Sequence, residues 1–197
     1  MQENIWNDEN LIEVLKKGGV VIMPTDTIYG MVGRAENEAV VRRIYSIRKR
    51  NPEKPCIILI GDIKELEKFS VFPTEEQKKV LKNHWRISAM ADMRQPEPIS
   101  IILDCPDEKF AYLHRGTKTL AFRLPTSPEL RELLMKVGPL IAPSANLEAE
   151  PPSGNIEDAK KYFGDSVDLY IDGEEIKSKA SKLIELHKDG TVNILRE

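Results

Sequence analysis

The 197-residue sequence is poor in cysteine and histidine and has no long apolar run. Cys56 and Cys105 are too few and too far apart for a disulfide framework, and the histidines show no metal-ligand spacing, so no protein-bound metal is expected. No apolar stretch approaches the ~20 residues that a membrane span needs. The polar, acidic residues 1–10 lack the basic and apolar regions of a signal peptide. We therefore expect a soluble, cytoplasmic protein without membrane contacts.

The glycine-rich motifs of the common nucleotide-binding folds are also absent. Neither G-x-x-x-x-G-K-[ST] nor G-x-G-x-x-G occurs, which disfavours P-loop and Rossmann modes of nucleotide binding. There is no G-x-S-x-G elbow, so a covalent mechanism has no motif to support it and no catalytic residue is assigned. The net charge of -3 means that any nucleic-acid-binding surface has to be local.

What the sequence does contain is the pattern of a globular α/β protein. Hydrophobic residues make up 41% and charged residues 31%, which is typical of one globular domain, here residues 1–197. Apolar runs alternate with amphipathic stretches, and Lys188-Asp189-Gly190 is a hairpin signal. Strands are predicted at residues 20–23, 56–60, 99–103, 119–124, 140–142, 169–171, 182–187 and 191–195. Helices are predicted at residues 11–17, 37–50, 62–69, 74–85, 127–137 and 156–163. We expect an α/β fold with a twisted, mixed sheet flanked by helices.

Three polar clusters accompany predicted strands, and a basic segment at residues 48–54 follows the second helix. The clusters are Thr25 with Asp26 and Thr27, Arg123, and Ser144 with Asn146. Ligands of open α/β sheets collect at strand ends. Hydroxyl groups, an amide and several cations suit a polar, anionic ligand such as a phosphate or a carboxylate.

Each cluster also has an ordinary structural explanation. Thr25 and Thr27 could cap a turn. The triplet Arg48-Lys49-Arg50, taken alone, is more typical of a solvated helix end. Arg123 is harder to explain in this way, because a guanidinium inside an apolar strand needs a partner.

Taken in order, the polar motifs resemble those of a known family. P-T-D-T-I-Y-G, R-K-R-N-P-E-K-P, F-R-L-P, A-P-S-A-N-L and a closing I-L-R are similar to motifs of the YrdC/Sua5 family, the threonylcarbamoyl-AMP synthases, in its single-domain form. The resemblance covers nearly the whole chain, and P-T-D-T-x-Y-G together with P-S-A-N is highly specific. It implies a YrdC-like fold with a deep, basic cavity.

The resemblance also implies an activity. Members of this family are nucleotidyltransferases that condense L-threonine, bicarbonate and ATP, with Mg²⁺, into threonylcarbamoyl-AMP and pyrophosphate. A partner complex then transfers the threonylcarbamoyl group to adenosine 37 of tRNA, so tRNA is an indirect partner. ATP is thus expected as a substrate, and its Mg²⁺ is held by phosphate oxygens and water rather than by a protein site.

Site residues follow from the resemblance by motif position. The residues matched to the threonine site are Thr25, Arg123, Ala142 and Ser181. The residues matched to the ATP site are Arg48, Arg50, Lys54, Thr119, Ser144, Asn146 and Arg196.

Four departures from the family pattern leave other functions open. Arg48 stands where the family usually has lysine, Glu148 where it has serine and Lys182 where it has threonine, and residues 86–95 look like an insertion. Two alternatives therefore stay open. One is a YrdC-like module that binds RNA through the basic residues 42–54 without synthase activity. The other is a divergent paralogue acting on another substrate.

Overall fold

A computed structural model describes residues 4–85 and 97–197, so the apparent insertion at residues 86–95 lies outside the described residues. The strands are β1 Val21–Pro24, β2 Tyr29–Arg34, β3 Ile57–Leu59, β4 Ile99–Asp104, β5 Thr119–Arg123, β6 Leu140–Ile141, β7 Leu169–Tyr170, β8 Lys182–Leu186 and β9 Val192–Arg196. The α-helices are α1 Glu9–Lys16, α2 Glu38–Ile47, α3 Glu75–His84, α4 Ala111–His114, α5 Pro128–Val137 and α6 Ile156–Phe163. Shorter 3-10 helices cover Ile5–Asn7, Ile63–Phe69, Glu108–Phe110 and Gly164–Ser166.

The helices begin where polar side chains satisfy their first backbone N–H groups. The Asn37 side chain accepts hydrogen bonds from the amides of Ala39 and Val40 at 3.1 and 3.3 Å, which starts α2. Thr74 and Gln77 form a capping box at the start of α3. Among the helices of residues 4–85 and 97–197, none is both long and apolar enough to cross a membrane.

The strands form a mixed sheet, as predicted. Their order is β7-β1-β2-β6-β3-β5-β4-β8-β9. The pairs β1–β7, β3–β5 and β4–β8 are parallel, and the other neighbouring pairs are antiparallel. The last two strands form the antiparallel hairpin that Asp189-Gly190 signals. This order brings β5 to the middle of the sheet, between β3 and β4.

Strand β2 is absent from the sequence prediction, and its two glycines explain the omission. Glycine weakens a strand signal and marks places where another group approaches the backbone closely. A Cβ on Gly33 would lie 2.4 Å from Cγ1 of Val40 in α2, and one on Gly30 would lie 3.2 Å from Cγ2 of Thr25. The glycines therefore let a helix and the preceding turn pack directly onto β2.

Apolar side chains cover both faces of the sheet. Val21 and Met23 of β1 belong to one buried cluster, whereas Val20 and Ile22 belong to the other. Helices α1 and α5 complete the first cluster, and α2, α3 and α6 complete the second. The expected sheet flanked by helices is thus confirmed, with side chains alternating between the two layers.

Candidate ligand-binding cavity

A cavity of about 490 Å³ lies against the central strand β5. Thr119, Ala121 and Arg123 line it, whereas Leu120 and Phe122 point into the apolar core on the opposite face. Because side chains alternate along a strand, β5 completes the core with one face and builds the cavity wall with the other. The other sequence-predicted residues that line the cavity are Thr25, Arg50, Lys54, Ala142, Ser144, Ser181 and Arg196.

The lining has a buried part and an exposed part. Thr25, Arg123 and Ser181 are 6%, 4% and 2% exposed, and we call these three residues the cavity floor. Arg50, Lys54 and the nearby Glu148 are more exposed, and we call them the cavity mouth. Arg50, Lys54, Arg123 and Arg196 are lining cations, and Glu53 is a lining carboxylate, so the wall favours an anion.

The buried Arg123 has the partner that its position in an apolar strand requires. Its Nη2 lies 3.0 Å from Oδ1 of Asp26 and donates to the hydroxyl of Thr25 at 3.3 Å. Asp26 is fixed in turn by the Thr126 amide, which donates to its Oδ2 at 2.9 Å. The sequence motif contains Asp26, but the pairing is not predictable from it because the pair depends on the turn after β1.

Arg123 nevertheless keeps unused hydrogen-bonding capacity. Among the described residues the buried Nε of Arg123 has no hydrogen-bond partner. Oδ1 of Asp26 lies close to Nη2 of Arg123, but the two atoms do not have the geometry of a hydrogen bond. Burial lowers the pKa of Arg123, the Asp26 carboxylate raises it, and the positive charge of Arg196 lowers it. An anion bound in the cavity beside Arg123 would relieve the repulsion between the two guanidinium groups.

Thr25 both shapes a turn and faces the cavity. Its hydroxyl donates to the carbonyl of Ile28 at 2.8 Å and lies 3.1 Å from the hydroxyl of Thr27. The Thr27 amide donates to the same Thr25 hydroxyl at 3.2 Å. Thr25 and Thr27 therefore stabilise a turn, which is the structural explanation given above. This role does not exclude a ligand contact, because both residues line the cavity.

The terminal hairpin supplies the third side of the cavity. The hydroxyl of Ser181 lies 2.8 Å from that of Ser100, and both residues are buried. Arg196 donates from Nε and Nη2 to the carbonyl of Ser181 at 3.0 and 2.8 Å. Partial burial lowers the pKa of Arg196. The hydrogen bonds hold this second guanidinium beside the cavity, close enough to influence Arg123.

At the cavity mouth, Arg50 braces the turn that carries Lys54. Arg50 donates from Nε to the carbonyl of Lys54 at 3.2 Å and from Nη2 to the carbonyl of Pro55 at 3.0 Å. The hydroxyl of Tyr45 donates to the same Lys54 carbonyl at 2.7 Å. The turn is thus fixed through its backbone, and the Lys54 ammonium group remains on the exposed side.

Glu148 neutralises part of this positive charge. Its Oε1 lies 2.9 Å from Nζ of Lys54, and its Oε2 lies 3.7 Å from Nη1 of Arg50. The hydrogen bond from Lys54 and the charges of Lys54 and Arg50 hold the pKa of the Glu148 carboxyl below its ordinary value. Glu148 is therefore an anion placed between the two cations of the mouth.

Arg48 does not reach the cavity, and the solvated helix end expected for its triplet is wrong at this position. Arg48 is 1% exposed and donates from Nε and Nη2 to the carbonyl and Oδ1 of Asn146 at 2.9 and 3.0 Å. Its Nη2 also donates to the hydroxyl of Ser144 at 3.3 Å. Burial, followed by the positive charge of Arg50, lowers the pKa of Arg48 to about 10.

Asn146, like Arg48, lies behind the lining rather than in it. The side-chain Nδ2 of Asn146 donates to the backbone carbonyls of Leu147 and Glu150 at 2.8 and 2.7 Å, so Asn146 closes the loop that carries Ser144. One signal in the sequence could have placed Arg48. Arg48 lies seven residues after Val41 and four residues after Ile44. This helical spacing puts Arg48 on the same side as the buried residues of α2.

Most of the basic residues in segment 42–54 are buried or paired with carboxylates. Arg42 pairs with Glu38 at 2.5 Å, and Arg43 pairs with Asp168 at 2.5 Å. Arg48 is buried, and the cations of the mouth contact Glu148. This arrangement counts against the RNA-binding alternative, because RNA affinity of that kind depends on uncompensated charge.

Carboxylates are not gathered at the cavity. In the part of the chain that the structure describes, no group of three or more histidine, cysteine, aspartate or glutamate side chains could hold a metal ion.

Fold and cavity together define an α/β protein whose mixed sheet carries a polar, cationic cavity against its central strand. A family model named for Sua5, YciO and YrdC and described as "Telomere recombination" matches residues 13–197. The chain therefore belongs to the YrdC/Sua5 family.

Individual relatives agree with this assignment. Threonylcarbamoyl-AMP synthase of Chromohalobacter salexigens is 30% identical over 176 residues, covering 88% of this chain and 88% of the relative. The protein of the same name from Bacillus subtilis is 31% identical over 162 residues, covering 81% of this chain but 44% of the relative. The structure of Pyrococcus abyssi Sua5 complexed with L-threonine matches with a TM-score of 0.77 and 26% identity, covering 98% of this chain and 53% of that one. The chain thus spans about half the length of the longer relatives.

Proposed function

We propose that this protein is a threonylcarbamoyl-AMP synthase, using L-threonine, bicarbonate and ATP and serving the threonylcarbamoyl modification of tRNA. The proposal is supported by family membership and by relatives of this name at about 30% identity. The observation that carries it is the buried Arg123, which lines the cavity and whose Nη2 is held by Asp26. A guanidinium held in this way is suited to a carboxylate.

In this proposal threonine binds at the cavity floor. Its carboxylate contacts Arg123, and Thr25 and Ser181 offer hydroxyl groups beside it. Ala142 follows β6 and lines the same cavity. Two guanidinium groups and buried hydroxyl groups would then select a small amino acid by its carboxylate and its polar side chain.

ATP occupies the rest of the cavity in this proposal. Arg50 and Lys54 neutralise its phosphates at the mouth, and Thr119, Ser144 and Arg196 line the remaining wall. Arg48 and Asn146 act indirectly, by holding the loop that carries Ser144. Mg²⁺ enters as part of the nucleotide substrate, with phosphate oxygens and water as its main ligands.

The proposed reaction has two bond-forming steps. The deprotonated threonine amine forms a C–N bond with bicarbonate, and water leaves, which gives a carbamate. A carbamate oxygen then attacks the α-phosphorus of ATP, and the bond to pyrophosphate breaks. The side chains of the cavity orient the reactants and neutralise charge, and these two effects can supply much of the rate acceleration.

The test is threonine-dependent turnover. Purified protein with ATP, Mg²⁺ and bicarbonate should release pyrophosphate only when L-threonine is present, and mass spectrometry should detect threonylcarbamoyl-AMP. Omitting bicarbonate and replacing threonine by valine are the controls. Folded protein that gives no threonine-dependent product would overturn the proposal.

One observation favours a second candidate, a related enzyme acting on another substrate. Glu148 places a negative charge where ATP phosphates are proposed to bind. Ligand-dependent shifts in melting temperature separate the two candidates, because a ligand stabilises only the fold that binds it. The synthase should respond to threonine more than to other amino acids, whereas a paralogue with a different substrate should not.

A further inference from the structure

Glu148 is held at the cavity mouth through both its side chain and its backbone. Its carboxylate bridges Lys54 and Arg50, and its backbone amide donates to the carbonyl of Arg48 at 3.0 Å. Its side chain is 27% exposed, and that of Arg50 is 18% exposed. The carboxylate is therefore positioned by the loop rather than swinging freely from the surface.

We propose that Glu148 determines how tightly the mouth binds polyphosphate, by competing with phosphate oxygens for Lys54 and Arg50. The inference rests on the proposed function, in which the phosphates of ATP and the pyrophosphate product bind at these two cations. Glu148 is then a specificity-determining residue. It weakens the binding of every ligand that needs both cations and does not affect ligands that do not reach the mouth.

The competition is direct because few donors are available. Arg50 already uses Nε and Nη2 on the backbone carbonyls of Lys54 and Pro55, so the nitrogen that faces Glu148 is Nη1. A phosphate oxygen that approaches this nitrogen meets the carboxylate. Lys54 likewise directs its ammonium group at Oε1 of Glu148.

The competition is also reversible, because the contacts are partly exposed to solvent. Lys54 is 60% exposed in its pair with Glu148. Ion pairs of this kind contribute little net free energy. A triphosphate can therefore displace the carboxylate, and the carboxylate can return as pyrophosphate leaves. Glu148 thus favours product release at the expense of affinity.

The test compares wild type with Glu148→Gln, which keeps the shape of the side chain and removes its charge. Isothermal titration with ATP and with inorganic pyrophosphate should show about two- to fivefold tighter binding to the variant, the size expected for a partly exposed charge contact. Threonine and AMP should bind both proteins equally. The difference should shrink in high salt, because salt screens exposed charges.

Two further variants separate this local effect from other causes. Glu150→Gln removes the same charge from an exposed residue of the same loop and should leave pyrophosphate affinity unchanged. In a Lys54→Ala background, Glu148→Gln should change pyrophosphate affinity much less, because the contact between Lys54 and Glu148 is already absent. Melting temperatures of all variants report whether each is folded.

The outcomes distinguish this inference from the proposed function. Equal pyrophosphate affinity of wild type and Glu148→Gln, in a protein that shows threonine-dependent turnover, would overturn the inference alone. An equal gain from Glu150→Gln would also overturn it, because the effect would then come from net charge. Failure of ATP and pyrophosphate to bind any of these proteins would overturn both.

Discussion

The floor and the mouth of the cavity bind charge in different ways. At the floor, Arg123 is 4% exposed and its partner Asp26 is fixed by a backbone amide. At the mouth, Lys54 is 60% exposed and its pair with Glu148 is open to solvent. Charges at the floor therefore act in a low-dielectric environment, whereas those at the mouth are screened.

This difference separates geometric recognition from electrostatic attraction. The floor has few donors in fixed directions, so its contribution depends on the shape of the ligand. The mouth has cations whose ion pairs are partly exposed to solvent, so its contribution depends on ligand charge and on salt. Substitutions at the floor and at the mouth test this division, and a substitution of Arg48 tests the support behind the cavity lining. We take them from the largest expected effect to the smallest.

Arg123→Lys should cause the largest loss, a loss of affinity for threonine. Lysine keeps the charge but loses the planar fork, and a charge-assisted hydrogen bond is worth about 1.5–3 kcal/mol, or roughly ten- to 150-fold in affinity. Isothermal titration with threonine measures the loss. Arg50→Lys is the matched substitution at the mouth. It should weaken the binding of ATP and leave the affinity for threonine unchanged. If the affinities for threonine and for ATP fall by the same factor in both variants, the floor and the mouth are not separate sites.

Arg48→Met should reduce stability rather than remove a ligand contact. The change leaves the buried carbonyl and Oδ1 of Asn146 without their donor, at a cost of about 1–3 kcal/mol. Urea unfolding measures this free energy. Arg42→Met, in the preceding helix α2 and exposed, should stay within about 0.5 kcal/mol of wild type. A similar loss in both variants would contradict the positioning role assigned to Arg48.

Lys54→Ala should have the smallest effect and the strongest dependence on salt. Because Lys54 is largely exposed, ATP affinity should fall only about two- to fivefold at low salt and less at high salt. Titrations with ATP at two salt concentrations measure the change. Lys161→Ala, which removes an exposed, paired lysine of α6, is the control and should not respond. A salt-independent loss would mean that Lys54 binds as a buried group.

The sequence predicts the parts of the fold in which local pattern and final structure agree. The predicted strand at residues 56–60, which forms β3, and the predicted helix at residues 74–85, which forms α3, are such cases. Strand β2 escapes prediction because Gly30 and Gly33 read locally as breakers, although tertiary contacts require them there.

The cavity shows the same limit. Arg123 can be singled out because a cation in an apolar strand is expensive to bury. Its pairing with Asp26 cannot be predicted, since the pair forms only when β1 and β5 reach their places in the sheet. Arg48 is matched to the ATP site by motif position, but it lies behind the cavity lining. The solvated helix end considered for its triplet is also wrong for Arg48, because the turn of the helix directs neighbouring residues to different sides. The roles of the cavity residues in binding remain predictions.

The order of strands in the sheet has a kinetic consequence. Thr25, Arg123 and Arg196 meet in one cavity although they come from the beginning, middle and end of the chain. Contacts between such distant segments form slowly, because the entropy of closing long loops opposes them. An intermediate whose terminal hairpin has detached would lack one guanidinium and one serine of the wall. Ligand should therefore retard hydrogen exchange in that hairpin, even though the hairpin is an outer edge of the sheet.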